Sequence, residues 1–316
     1  MLKFGEIIHF SNKNVAETDI NLILSFLIIY FAKIRKKLIQ RDISMNESIL
    51  KKIKTLPPLD DTVIQIQRIH ADENSSINDL TKVVEKDPML TANILRSANS
   101  PLYGFSQEIT TIARAISLFG MATIRGFALS SAIRKSFSIN LEPYSITGQD
   151  FLNISIMQNT LMYHWYSKIN PKKLEVLSPA SFMLEVGKIV LAHELVENNQ
   201  DIEFKEKIKK ITGSVDLALL ETEIFDMTNE EVTAKIFEQW NLETELINSI
   251  LYSNNPEEAP DHIKEYARAL KVVKTAVNIF NQLDDVSINN ATLLINEYGF
   301  DRDTFLMAVS KVKDNL

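Results

Sequence analysis

The scarcity of helix breakers constrains this chain more than any single motif does. Eight glycines and nine prolines are spread over 316 residues, so long stretches hold nothing that forces the backbone out of a helix. Where breakers occur, they sit beside helix-start and helix-stop signals. Pro57 and Pro58 precede a segment in which Val63, Ile66 and Ile69 are spaced for one helical face. Ser76, with Asp79 three residues later, has the pattern of a capping box, and Leu80, Val83 and Val84 follow as an apolar stripe. Asp87 stands where an N-cap belongs and Pro88 at the first helical position. Leu90, Ile94, Leu95 and Ala98 then face inward, and Pro101 ends the helix by restricting Ser100. The run Ile109–Gly120 predicts a helix stopped at Gly120, with another starting at once from Met121, so that two helices meet at a tight corner.

The helical period is lost between Ser138 and Gln149, a stretch holding Pro143 and Gly148. Beyond it, helices are expected near Phe151–Lys168, Ser181–Glu197, Thr228–Trp240, Glu243–Tyr252 and Asp261–Phe280, with two more after Asn289. The expected fold is all-α, in two packed helical lobes over 45–140 and 149–316, behind an N-terminal segment over 1–44.

Composition removes several classes of function. A net charge of -7 argues against a phosphate-binding surface, and so against nucleic acid as a partner. The chain has no cysteine, which removes disulfides, thiolate chemistry and cysteine zinc sites, and suits a reducing, cytoplasmic setting. Ile20–Ala32 is thirteen uncharged residues followed by Lys33, Arg35, Lys36 and Lys37. At ~1.5 Å per residue it spans about 20 Å, short of the ~30 Å hydrocarbon core. Three readings stay open for it: a short membrane anchor, a helix that packs on the body or a partner, and a non-native extension upstream of a start at Met45.

No glycine-rich phosphate loop, G-x-S-x-G elbow or H-E-x-x-H occurs. The five histidines, His9, His70, His164, His193 and His262, show no ligand spacing. His193 and Glu197 share a helical face, but two ligands are too few for a metal. In the basic-looking stretch around Lys205 to Lys210, Glu203 and Glu206 interleave with the lysines, the pattern of a solvated face. More distinctive are Asn93, Arg96, Asn99, Ser100 and Tyr103 around one helix end, with Arg125 and Arg134 on another helix. They are candidates for binding a ligand or partner; the alternative is that they close helices and satisfy carbonyls. One further oddity is Glu185 and Lys188 inside the apolar run "SFMLEVGKIVLAHE", since a charge in such a run costs several kcal/mol unless paired or functional.

Three blocks, "LPPLDD" at Leu56–Asp61, "DPMLTANILRSANSPLYG" at Asp87–Gly104 and "ITTIARAISLFGMATIRG" at Ile109–Gly126, together resemble the HDOD family, the HD-related output domains of bacteria. The resemblance runs from about Met45 to Tyr252. It implies an HD-domain, phosphodiesterase-like helical bundle, related to metal-dependent HD phosphohydrolases. It also implies where their metal ligands would stand. Ile154 takes the first histidine position, Leu184 and Glu185 replace the His-Asp pair, and Gly187 and Lys188 match the residues after it. Asn229 replaces a later histidine, and Ser253 and Asn254 replace a His-His pair. Only Glu185 of this set is a strong donor, and one carboxylate does not hold a divalent ion tightly.

The expectation is therefore a non-catalytic regulatory module with no metal and no cofactor. It acts through an unidentified signalling protein or small ligand, and the resemblance links it to control of motility. Two competing readings stand beside it. One is a degenerate HD phosphohydrolase that uses other ligands such as His164 or His193. The other is a small-molecule sensor with a pocket between Ile154, Leu184 and Asn229. Glu185 is expected to pair with Lys188.

Overall fold

The structure, a computed structural model, describes residues 45–136 and 140–316, and Ile20–Ala32 lies outside the described residues. The local signals close helices as their chemistry requires. After α1 (45–54) comes α2 (Asp61–Ala71), whose N-cap Asp60 accepts the Val63 amide. Ser76 and Asp79 form a full capping box on α3 (Ile77–Val84), and Asp87 caps α4 (Pro88–Ala98) through the amides of Met89 and Leu90.

In α5 (Ile112–Ser136), Gly120 has φ 80° and ψ 162°. This left-handed φ favours glycine and turns the helix sharply, which makes the expected corner. Residues 122–133 on its second limb are all buried. α5 is the one described helix long and apolar enough to cross a membrane, and 72% of its most apolar window is buried inside the protein.

The second region contains α6 (Gly148–Ile169), α7 (Leu174–Phe182), α8 (Gly187–Glu197), α9 (Asp201–Ile208) and α10 (Ser214–Phe225). It continues with α11 (Asn229–Gln239), α12 (Thr244–Leu251), α13 (Asp261–Ala276), α14 (Asp285–Tyr298) and α15 (Arg302–Lys313). Among the described residues the only extended pairing is an isolated bridge, Val277 with Gln282. Residues 46–316 group as one unit. Within it α5 packs on α2, α3 and α4, while α7 touches α5, α6, α12 and α13 and so forms the seam between the two helical regions.

Four expectations are corrected. The helix expected over Ser181–Glu197 is two, because α7 ends at Phe182 and α8 starts at Gly187 after a turn over 183–186. The Gly187 amide donates to Thr233 Oγ1 (2.9 Å) on α11, and the Lys188 amide is shared between Asn229 Oδ1 (3.0 Å) on α11 and the Glu185 carbonyl of the turn (3.1 Å), so side chains of α11 take up amides at the break. Helix α13 stops at Ala276 rather than Phe280, where Asn278 Oδ1 accepts the amides of Phe280 and Asn281. α14 starts at Asp285, capped by Asp284, ahead of the expected Asn289. α1, α10 and the part of α7 before Ser181, which carries Pro179 internally, lie outside the helices expected from the sequence.

Close packing at the seam depends on Gly126 of α5. A Cβ there would lie 2.9 Å from the Cα of Pro179 on α7. Thr123 and Ser178 hydroxyls meet alongside at 2.6 Å. Gly126→Ala is therefore expected to destabilise the protein by about 1–3 kcal/mol. The measurement is the urea midpoint at unchanged slope, and a midpoint equal to the parent's would refute the close approach.

Candidate functional site

The amide bonds that end α7 and start α8 leave Glu185 on a turn at the junction of α6, α8 and α11. Its carboxylate pairs with Lys188, and both side chains are 1% exposed. Gln158 of α6 donates from Nε2 to Glu185 Oε1 (3.0 Å) and to the Val277 carbonyl (2.9 Å). Gly187 is required by packing: a Cβ there would lie 2.2 Å from the Asn229 carbonyl oxygen.

A second ion pair adjoins the first. Glu230 of α11 pairs with Lys274 of α13, again buried. Asn254 donates to Glu230 from Nδ2 and accepts from Lys274 at Oδ1 (3.1 Å). Asn229 connects the two pairs, donating to Glu230 Oε1 (2.9 Å) and to the Leu184 carbonyl (2.6 Å). A third carboxyl, Glu221 of α10, lies 3.8 Å from Lys188 Nζ. It accepts the Asn229 amide (2.8 Å) and the Tyr144 hydroxyl (3.0 Å). Five buried ionisable groups thus share one volume.

Their titration follows from the count of three carboxyls against two ammoniums. Burial works to raise the Glu230 pKa, but Lys274 and Lys188 outweigh it and hold the group down at about 2. Glu185 is lowered in the same way, with Lys188 and then Lys274 overcoming burial. Lys188 is raised because Glu185, Glu221 and Glu230 together exceed the effect of its burial. Glu221 moves the other way: burial, with repulsion from Glu230, raises it despite Lys188. The excess negative charge is therefore relieved at Glu221, beside a Tyr144 hydroxyl that burial and Glu221 keep protonated.

These residues do not fit the metal of an HD phosphohydrolase. Leu184 and Ile154 are fully buried and offer no electron pair, and Ser253 turns its hydroxyl onto the Ile250 carbonyl (2.7 Å). Glu185 and Glu230 are each engaged by a lysine and by side-chain amides. Among the described residues no group of three or more histidine and acidic side chains is placed to hold a metal ion. Lysine ammoniums occupy the places around the carboxylates where cations belong.

Of the residues that build this network, Gln158, Glu221, Glu230, Lys274 and Tyr144 were not among the expected ones. A signal existed for two. Glu221 falls four residues after Leu217 and four before Phe225, and Lys274 four after Leu270, so each interrupts a buried stripe. His193 and Glu197 lie near the α8 end with Nδ1 to Oε1 at 3.6 Å, and both are partly exposed.

The polar cluster of the first region is divided between buried and exposed members. Asn99 donates to the carbonyls of Leu95 (2.9 Å) and Ile109 (2.8 Å) and accepts the Ile109 amide (2.8 Å). Tyr103, 2% exposed, donates to Asn159 Oδ1 (2.7 Å), which holds Ser178 in turn. Arg125, also 2% exposed, pairs with Glu243 at the start of α12. Tyr103 and Arg125 are thus braces across the seam and not part of an open recognition surface. Ser100 sits in the loop where its carbonyl accepts the Tyr103 amide. Asn93, bonded to Ser131 (3.3 Å), and Ser100 are half-buried, while Arg96 and the C-cap Asn99 are exposed.

The profile of the HDOD domain matches residues 56–256. The chain belongs to the HDOD family. The HDOD chain shares its fold with a virulence factor from Campylobacter jejuni, 29% identical, over 86% of this chain and 97% of that one, with a TM-score of 0.54. It is also similar to a protein named a candidate phosphohydrolase from Shewanella amazonensis (19% identical, 84% and 94% covered, TM-score 0.65). A third neighbour is a candidate signal transduction protein from Marinobacter aquaeolei (18%, 87% and 64%, TM-score 0.61). The chain spans about two fifths of the length of the curated relative it matches, a Treponema pallidum protein 22% identical over 223 residues, 69% of this chain and 41% of that one.

If the two ion pairs neutralise one another as described, Lys274→Met leaves Glu230 buried without its cation, and a loss of about 3–5 kcal/mol is expected. The double variant Glu230→Gln, Lys274→Met is expected to be more stable than Lys274→Met alone. Urea unfolding of the parent, both singles and the double gives the coupling energy. Additive losses would mean that the two groups do not act as a pair.

Proposed function

We propose that this HDOD chain is a non-catalytic regulatory module in bacterial signal transduction, acting by binding a partner protein or a small ligand. One observation carries the proposal. The carboxylates at the place of the HD metal site are neutralised by Lys188 and Lys274. A metal lowers the pKa of a bound water by offering an open coordination position to it. An ammonium held by carboxylate and amide oxygens offers no such position. The Tyr144 hydroxyl, which donates to Glu221 (3.0 Å), is buried and closed off from any substrate.

The competing reading, a degenerate phosphohydrolase, draws on the Shewanella amazonensis neighbour, whose likeness at 19% identity is one of fold. It needs donors that the buried network does not supply. His164 is half-buried, with its pKa lowered to about 4 by burial and then by Lys311; it packs against Tyr163. His193 pairs with Glu197.

Purified protein loaded with manganese or iron(II) is expected to leave bis-p-nitrophenyl phosphate and cyclic dinucleotides intact, and to retain metal well below one ion per chain after desalting. Turnover that Glu185→Ala abolishes would overturn the non-catalytic reading.

We further infer that the output reaches motility, a reading that rests on the family resemblance alone. Deleting the gene is then expected to shrink the swimming ring in soft agar without slowing growth, with recovery on complementation. Wild-type swimming in the deletion strain would remove motility from the proposal.

A further inference from the structure

Beside the buried network, α10 and α13 border a cavity of about 210 Å³. That is below the ~300–1,000 Å³ of sites for drug-sized ligands, so a guest would be small. The lining is chemically two-sided. Val215, Ala218 and Leu219 of α10 supply an apolar wall, and Val215 and Leu219 are otherwise exposed. Lys271 and Lys274 of α13, with Asn254, supply the polar end.

No acidic residue lines this cavity, although the chain carries 41 acidic residues against 34 basic. Lys274 is neutralised by Glu230, but Lys271 is not matched in this way. Its Nζ donates to the Asn254 carbonyl (2.9 Å), and no described carboxylate lies within 4 Å of it. An ammonium has three N–H donors, so Lys271 keeps two to offer. It is half-buried, and burial lowers its pKa from the ordinary lysine value. A partly desolvated cation facing an apolar wall favours an anion that also carries hydrocarbon.

We propose that this cavity binds a small organic monoanion, a carboxylate head on Lys271 with a short aliphatic body against Val215 and Leu219. The proposal rests on the ligand-binding branch of the regulatory reading and gives it a site and a chemical class. It also relocates the ligand: the pocket is at the rim of the network, reached through Lys274 and Asn254, and is not formed by Ile154, Leu184 and Asn229. Because Asn254 bonds Lys271, Lys274 and Glu230 at once, a guest on Lys271 touches the network through one residue.

The test is a titration of the full chain, with labelled methyl groups, by butyrate, acetate and inorganic phosphate. Butyrate is expected to shift the methyls of Val215 and Leu219 saturably. Acetate should bind about tenfold more weakly, for two methylenes fewer in contact. Lys271→Gln should weaken butyrate by about tenfold or more while methyl signals remote from the cavity stay in place. The absence of saturable shifts, phosphate binding as tightly as butyrate, or an unchanged affinity in Lys271→Gln would each overturn the proposal. Metal-dependent hydrolysis, which would sink the non-catalytic reading, leaves this titration unaffected, so the two can fail separately.

Discussion

Charges enclosed in one buried volume have to compensate each other, and the arrangement of the second helical region depends on that requirement. Each ion taken out of water costs several kcal/mol after relaxation, and the cost is recovered only with close partners and satisfied hydrogen bonds. Here Glu185 precedes α8, Lys188 is on α8, Glu221 on α10, Glu230 on α11 and Lys274 on α13, all almost fully buried. Sliding any one of these helices by a turn would strand a charge. The ion pairs therefore act on register: four helices are held in the one alignment in which each cation has its carboxylate.

The same constraint underlies the proposed non-catalytic reading. A divalent ion and a lysine ammonium both neutralise carboxylates, but by different geometry. The metal needs oxygen or nitrogen lone pairs converging at ~2.0–2.2 Å, with a place left for water. The ammonium needs acceptors at ~2.7–2.9 Å and is tethered to the backbone. Lys274 brings its positive charge from α13 and cannot exchange it with solvent ions. The excess acid that remains falls on Glu221, where a raised pKa favours the neutral carboxyl. On the proposed reading, a site of this kind would keep the electrostatics of a filled centre without the water activation of one.

What was legible in the sequence was local. Ser76 with Asp79, Asp87 with Pro88, and Gly120 act within one turn of themselves, so their patterns survive without tertiary knowledge. The all-helical fold follows from such signals repeated along the chain. The break at 183–186 was not legible, because Thr233 and Asn229, more than forty residues away, decide which acceptors the Gly187 and Lys188 amides take. An apolar run buried on every side also carries no period from which to read a boundary. Arg125 misled for a related reason. Its charge suggested a surface, whereas Glu243 allows it to be buried. Glu230 was hidden beside Glu231, whose role in the Thr228 capping box accounts for an acid at that place and drew attention from its neighbour.

The resemblance to the HD hydrolases implies that Gly187 and Lys188 match their pattern and that Leu184, three residues before Gly187, does not. The geometry accounts for this split without catalysis. Gly187 lacks a Cβ because the Asn229 carbonyl would lie 2.2 Å from one, a contact between two backbones that exists whether or not a metal is nearby. Lys188 answers two carboxyls, Glu185 and Glu221, which would be unpaired without it. Leu184 has a different duty: its side chain is fully buried, and only its carbonyl joins the network, accepting from Asn229. A backbone carbonyl is available from any residue, so the side chain at 184 is free to become hydrocarbon. Helix packing and charge balance hold the glycine and the lysine in place, and neither requirement acts on the side chain at 184.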